Sequence, residues 1–166
     1  EPGYLDLLTG YLGDAIAAAG GAEGCEVLFT AHSLPQRILE AGDPYPDQLA
    51  ETAAALAERA GIDVWSVAWQ SAGRTADPWI GPDVLDVVTA RAQTGTRAIV
   101  VCSCGFVADH LEVLYDLDIK TKALADELGV TFARTASPNA DPSFTQTLAG
   151  IVQAQASLPV GETVAG

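Results

Sequence analysis

The amino-acid sequence predicts a doubly wound α/β domain, with a parallel sheet of about four strands and helices on both faces. Three observations carry this. Short, β-rich apolar runs recur along the chain, among them Val27-Leu28-Phe29-Thr30-Ala31 and Ala98-Ile99-Val100-Val101-Cys102. Longer segments with apolar residues at helical spacing lie between them. Glycine and proline clusters such as Gly20-Gly21 and Gly81-Pro82 mark the joins. Strands that alternate with helices imply right-handed crossovers, and therefore parallel pairing.

The elements follow in order. Tyr4 to Ala19 reads as a first helix, stopped by Gly20-Gly21. Val27 to Ala31 is the first strand and delivers His32-Ser33-Leu34-Pro35 at its carboxyl end. Turn chemistry at Gly42 to Asp47 hands over at Pro46 or Asp47 to an alanine-rich helix ending near Ala60, before Gly61. Val64 to Trp69 is the second strand, followed by Gln70-Ser71-Ala72-Gly73. A helix opens at Gly81-Pro82-Asp83 and runs to about Gln93, and Arg97 to Cys102 is the third strand. The stretch from Gly105 is helical to about Leu128, where Gly129 caps it. Val130 to Ala133 is the fourth strand, and Asp141 to Ala156 the last helix. One domain over residues 1–156 is expected, with 157–166 as a flexible tail.

Composition bounds the function. The 166 residues suffice for one proper core, and 49% hydrophobic with 18% charged residues is ordinary for a globular protein. Eight Lys and Arg against 22 Asp and Glu give a net charge of −14, which opposes nucleic acid and anionic lipid, so membrane contact is at most peripheral. No apolar run approaches the ~20 residues of a bilayer span and no leader is legible, so a cytoplasmic location is expected. With no methionine and Glu1-Pro2-Gly3 at its start, the chain is expected to be part of a longer protein. Cys25, Cys102 and Cys104 lack framework spacing and read as small buried hydrophobes in a reducing compartment.

In a doubly wound sheet the strand carboxyl ends share one edge, so His32, Gln70-Ser71 and the segment from Gly105 to Glu112 are expected to converge there. No Gly-x-Gly-x-x-Gly follows the first strand and no Walker-type lysine motif occurs, which argues against a dinucleotide or an NTP at that edge. A histidine there can accept a proton near neutral pH or ligate a transition metal. If a helix starts near Asp109, Glu112, Asp116 and Lys120 line one stripe, suited to a hydrated cation path. The plainer alternative is a capping box, with Asp109 as cap and Glu112 satisfying a free backbone N–H.

Five blocks then resemble the ferrochelatases in order and spacing: Leu28 to Pro35; Gly42 to Gln48; Trp69-Gln70-Ser71 with Asp77 to Asp83; Gly105 to Asp118; and Ser137 to Pro142. The resemblance covers the chain to about Gln153. It implies insertion of ferrous iron into a porphyrin, coproporphyrin III or protoporphyrin IX, in heme biosynthesis. It also implies two similar Rossmann-like domains, of which this chain resembles the second. The N-terminal domain would be the partner, and the isolated half is expected to be inactive. By the same resemblance His32 and Glu112 are the catalytic and metal-handling pair at the porphyrin face, and Asp116 belongs to a polar proton or metal path leading away.

This chain departs from the pattern at Lys120, where many relatives carry a third acid, and that weakens a three-carboxylate metal path. Asp118 compensates only partly, because helix geometry turns it away from Asp116. Some relatives bind a [2Fe-2S] cluster through four cysteines; the three here leave a cluster unexpected, with Fe2+ as substrate and no organic cofactor. The alanine-rich, methionine-free composition is similar to that of actinobacterial members. The alternatives are a non-catalytic tetrapyrrole-binding or interaction domain, and a chelatase for another metal such as cobalt.

Overall fold

A computed structural model describes residues 1–157, so the part of the expected tail from 158 onward lies outside the described residues. Four parallel strands form one sheet: β1 (Cys25–His32), β2 (Trp65–Gln70), β3 (Ala98–Cys102) and β4 (Thr131–Arg134). Their order is β2-β1-β3-β4. The chain steps from β1 outward to β2 and then returns to the other side of β1, so the topological switch point lies between β1 and β3.

Alternation along the strands divides the core into two layers. Val27, Phe29, Ala31, Val100 and Cys102 face one side, packing with Leu8 and Leu12 of α1 (Pro2–Ala18) and Leu49, Ala53 and Leu56 of a later helix. That helix is α3 (Tyr45–Ala60), which follows the short α2 (Arg37–Glu40) and ends on Gly61 at φ 63, a left-handed cap suited to glycine. Leu28, Ile99 and Val101 face the other side, against Val84 and Val88 of α4 (Val84–Gln93) and Val113, Leu117 and Ala125 from the helical stretch after β3. Central strands covered on both faces read as continuous apolar runs, which is why the sequence reveals them.

The helical stretch after β3 is not a uniform α-helix. It opens as α5 (Leu111–Val113), widens into a π-helical segment (Leu114–Thr121), and closes as α6 (Lys122–Leu128). The Thr121 hydroxyl donates to the Asp116 carbonyl at 2.7 Å, an i+5 partner that fits the wider turn. The last helix among the described residues is α7 (Pro142–Ala156), whose N-cap Asp141 accepts from the Ser143 N–H at 2.7 Å. No helix among the described residues is long and apolar enough to cross a membrane.

Candidate functional site at the switch point

His32 ends β1 at the switch point. Its Nδ1 lies 2.5 Å from the Ser33 carbonyl oxygen. A carbonyl only accepts, so Nδ1 carries a proton and Nε2 is the ring nitrogen turned to the cleft. The Tyr45 hydroxyl donates to the His32 carbonyl at 3.0 Å, anchoring the backbone that carries the ring. Phe106 and Trp79 stand near the ring with centroids 6.4 and 6.5 Å away.

A close approach of backbone places the opposite wall. The Gly105 N–H donates to the Thr30 carbonyl at 3.0 Å, and a Cβ at Gly105 would lie 2.3 Å from Ala31 Cβ. Only glycine lets the chain leaving β3 pass so near β1. Immediately beyond, Glu112 brings Oε2 to 3.6 Å from His32 Nε2. The two side chains keep 31% and 53% of their surface, so the pair is open to a ligand on one side. Among the described residues no three His, Cys, Asp or Glu side chains converge as a metal-ligand set, so His32 and Glu112 stand as a pair.

The capping arrangement differs from the Asp109 capping box, one of the two readings the sequence offers for this stretch. The helix begins later, with His110 as N-cap: its Nδ1 accepts the Glu112 N–H at 3.2 Å. Asp109 is occupied elsewhere. It accepts Ser137 Oγ at 2.9 Å, Asn139 Nδ2 at 3.0 Å and Arg134 Nη2 at 3.2 Å, while its own N–H donates to Asn139 Oδ1 at 2.8 Å. Burial works to raise the Asp109 carboxyl, but hydrogen bonds from Asn139 and Ser137 and the Arg134 charge outweigh it and hold the group below the usual carboxylate range. The spacing that suggested a local cap is satisfied by a long-range network instead.

Asp116 occupies the neighbouring turn. It accepts the Ser71 hydroxyl at 2.5 Å and pairs with Lys120 at 3.0 Å. Ser71 holds a left-handed φ of 61, which aims its side chain from the end of β2 at the π-helical segment. Gln70, Ser71, Asp83, Asp116 and Lys120 line a cavity of about 90 Å³. Burial pushes the Asp83 carboxyl upward, against the lowering effect of the Leu85 N–H it caps, with Asp86 and Asp116 adding to the rise. Asp118 pairs with Arg134 instead, so the acidic lining of this cavity is Asp83 and Asp116, with Lys120 beside them.

The three cysteines do not all lie together. Cys102 and Cys104 are buried in the core, and Cys25 opens β1 opposite Ala98, at the far end of the sheet from Cys102. By strand rise and spacing, Cys25 and Cys102 stand ~14 Å apart.

Sheet order and helices on both faces define a Rossmann-like α/β domain of the chelatase class, with His32 and Glu112 facing each other at its switch point. A family model described as Ferrochelatase matches residues 1–156. Among curated relatives, the coproporphyrin III ferrochelatase of Halalkalibacterium halodurans is 45% identical over 92% of this chain and 50% of its own length. That of Bacillus subtilis is 50% identical over 78% of this chain and 42% of its own. A ferrochelatase of Herpetosiphon aurantiacus is 42% identical over 93% and 52%. The chain belongs to the ferrochelatase family. It spans about half the length of the curated relatives it matches.

Proposed function

We propose that, together with the rest of its protein, this chain inserts Fe2+ into a porphyrin in heme biosynthesis, with His32 and Glu112 at the reacting face. The observation that carries this is the His32 Nε2 to Glu112 Oε2 distance of 3.6 Å combined with the Nδ1–H bond to Ser33. Two acceptors that face each other at this distance favour a proton or a cation between them.

The reaction requires this chemistry. Fe2+ replaces two pyrrole protons, so the balance is one metal ion taken up and two protons released, with no electron transferred. His32 Nε2 receives a proton or meets the metal, and Glu112 receives and passes on protons. Asp116, hydrogen-bonded to Ser71 and paired with Lys120, continues the polar path away from the pair. The Asp116 to Lys120 pair argues against a second divalent ion there, since an ammonium already neutralises the carboxylate.

The names of the bacilli relatives support coproporphyrin III as the porphyrin, with protoporphyrin IX as the rival. The half-length coverage supports reading residues 1–156 as one domain, the second of two, with the N-terminal half as partner and no turnover by this half alone. A cytoplasmic setting with at most peripheral membrane contact belongs to the same reading. The test is anaerobic Fe2+ and Zn2+ insertion into both porphyrins by the full-length protein, followed by fluorescence. His32→Ala and Glu112→Gln are each expected to lower kcat by about 10²-fold or more. Turnover equal to the parent in both variants overturns the assignment.

A further inference from the structure

Glu112 lies on a short α-helical turn followed at once by a π-helical segment. Both flanks of that turn are tied to one guanidinium. Arg134, the last residue of β4, places Nε 2.6 Å from Asp118 Oδ1 and Nη2 2.9 Å from Asp118 Oδ2, a two-pronged grip on the π-helical segment. The same Nη2 lies 3.2 Å from Asp109 Oδ1, ahead of Glu112. Nη1 donates to the Thr135 carbonyl at 3.0 Å, and the side chain keeps only 14% of its surface.

The Asp109 end is fixed a second time. Asn139, in a left-handed φ of 49, donates its N–H to the Val107 carbonyl at 2.9 Å and clasps Asp109 with its amide. The loop after β4 therefore acts as a jig for residues 107–118. We infer that Arg134 is a positioning residue for Glu112: by clamping Asp109 and Asp118 together it sets the turn that holds the Glu112 carboxylate against His32. This rests on the reading of His32 and Glu112 as the reacting pair. Lysine carries the charge but not the fork, and cannot span both carboxylates in this geometry.

The test is steady-state Zn2+ insertion by the full-length protein carrying Arg134→Gln, Arg134→Lys, Asp118→Asn or Glu112→Gln, with thermal unfolding of each. Expected are a roughly 10- to 100-fold loss of kcat for Arg134→Gln, a smaller loss for Asp118→Asn, no rescue by Arg134→Lys, and a porphyrin KM close to the parent's. Arg134→Gln combined with Glu112→Gln is expected to be no slower than Glu112→Gln alone. If Glu112→Gln is inactive while Arg134→Gln, or Asp118→Asn where Arg134→Gln does not fold, keeps the parent kcat, the positioning role is overturned and the reacting pair stands. If Glu112→Gln turns over normally, the pair itself is wrong, and any loss from Arg134→Gln belongs to another cause.

Discussion

The Ser71 hydroxyl donates to Asp116 Oδ2 at 2.5 Å, joining the end of β2 to the π-helical segment across the sheet edge. Ser71 reaches it from a left-handed backbone that serine rarely adopts. Ser71→Ala removes the donor and leaves the strained backbone, and is expected to cost about 1–3 kcal/mol in urea unfolding. Ser71→Gly removes the same donor and relieves the strain, so it should be the milder of the two.

Gly105 is expected to be the least tolerant position near the site. Gly105→Ala drives a methyl into Ala31 and should destabilise by about 1–3 kcal/mol while displacing His32. Ala31→Gly in the same molecule removes the nearest contact but not the Ala31 Cα, which lies 2.8 Å from the added Cβ. Partial recovery of the melting temperature is therefore the expected result, and full recovery would show that the backbone adjusts.

Leu117 tests whether the π-helical segment is packed as described. It is fully buried against the Leu28, Ile99 and Val101 face. Leu117→Ala should cost about 2–5 kcal/mol by the loss of apolar burial and the cavity left behind. A cost below ~1 kcal/mol in denaturant unfolding would mean that the segment is not seated on the sheet.

Asp109 sets an acid limb of stability. Its folded-state carboxyl lies below the usual value despite burial, through Asn139, Ser137 and Arg134. A depressed carboxylate stabilises the fold above its unfolded value of about 3.9, and that contribution is lost as pH falls through the lower folded value. Asp109→Asn should reduce stability at neutral pH and flatten the decline below about pH 4, as read from unfolding midpoints across that range.

The strands and most helices were legible because burial writes itself into local pattern. Glu26 obscured the start of β1: a carboxylate reads as loop, yet here Ser66 Oγ donates to it at 3.1 Å and Arg91 Nε lies 2.9 Å away. The short α2 carries too few residues for a period. The π-helical widening was invisible because Val113, Leu117 and Thr121 recur at an interval an α-helix would also show. His32, Glu112 and Asp116 were picked out by resemblance and by their places at strand and helix ends. His110 as cap and Arg134 as clamp were missed, because both depend on partners brought near only by the fold. The signal for Arg134 was slight: a lone cation at a strand's carboxyl end, in a chain where cations are scarce.

The switch point has a consequence for cooperativity. His32 is carried by β1, while Glu112 is delivered by the crossover that leaves β3, so the two sides of the pair belong to different βαβ halves of the sheet. Neither half alone contains the pair. Loosening either half would part His32 from Glu112, so the closeness of the two reports on both halves being in place, much as an electrical contact reports on both leaves of a switch.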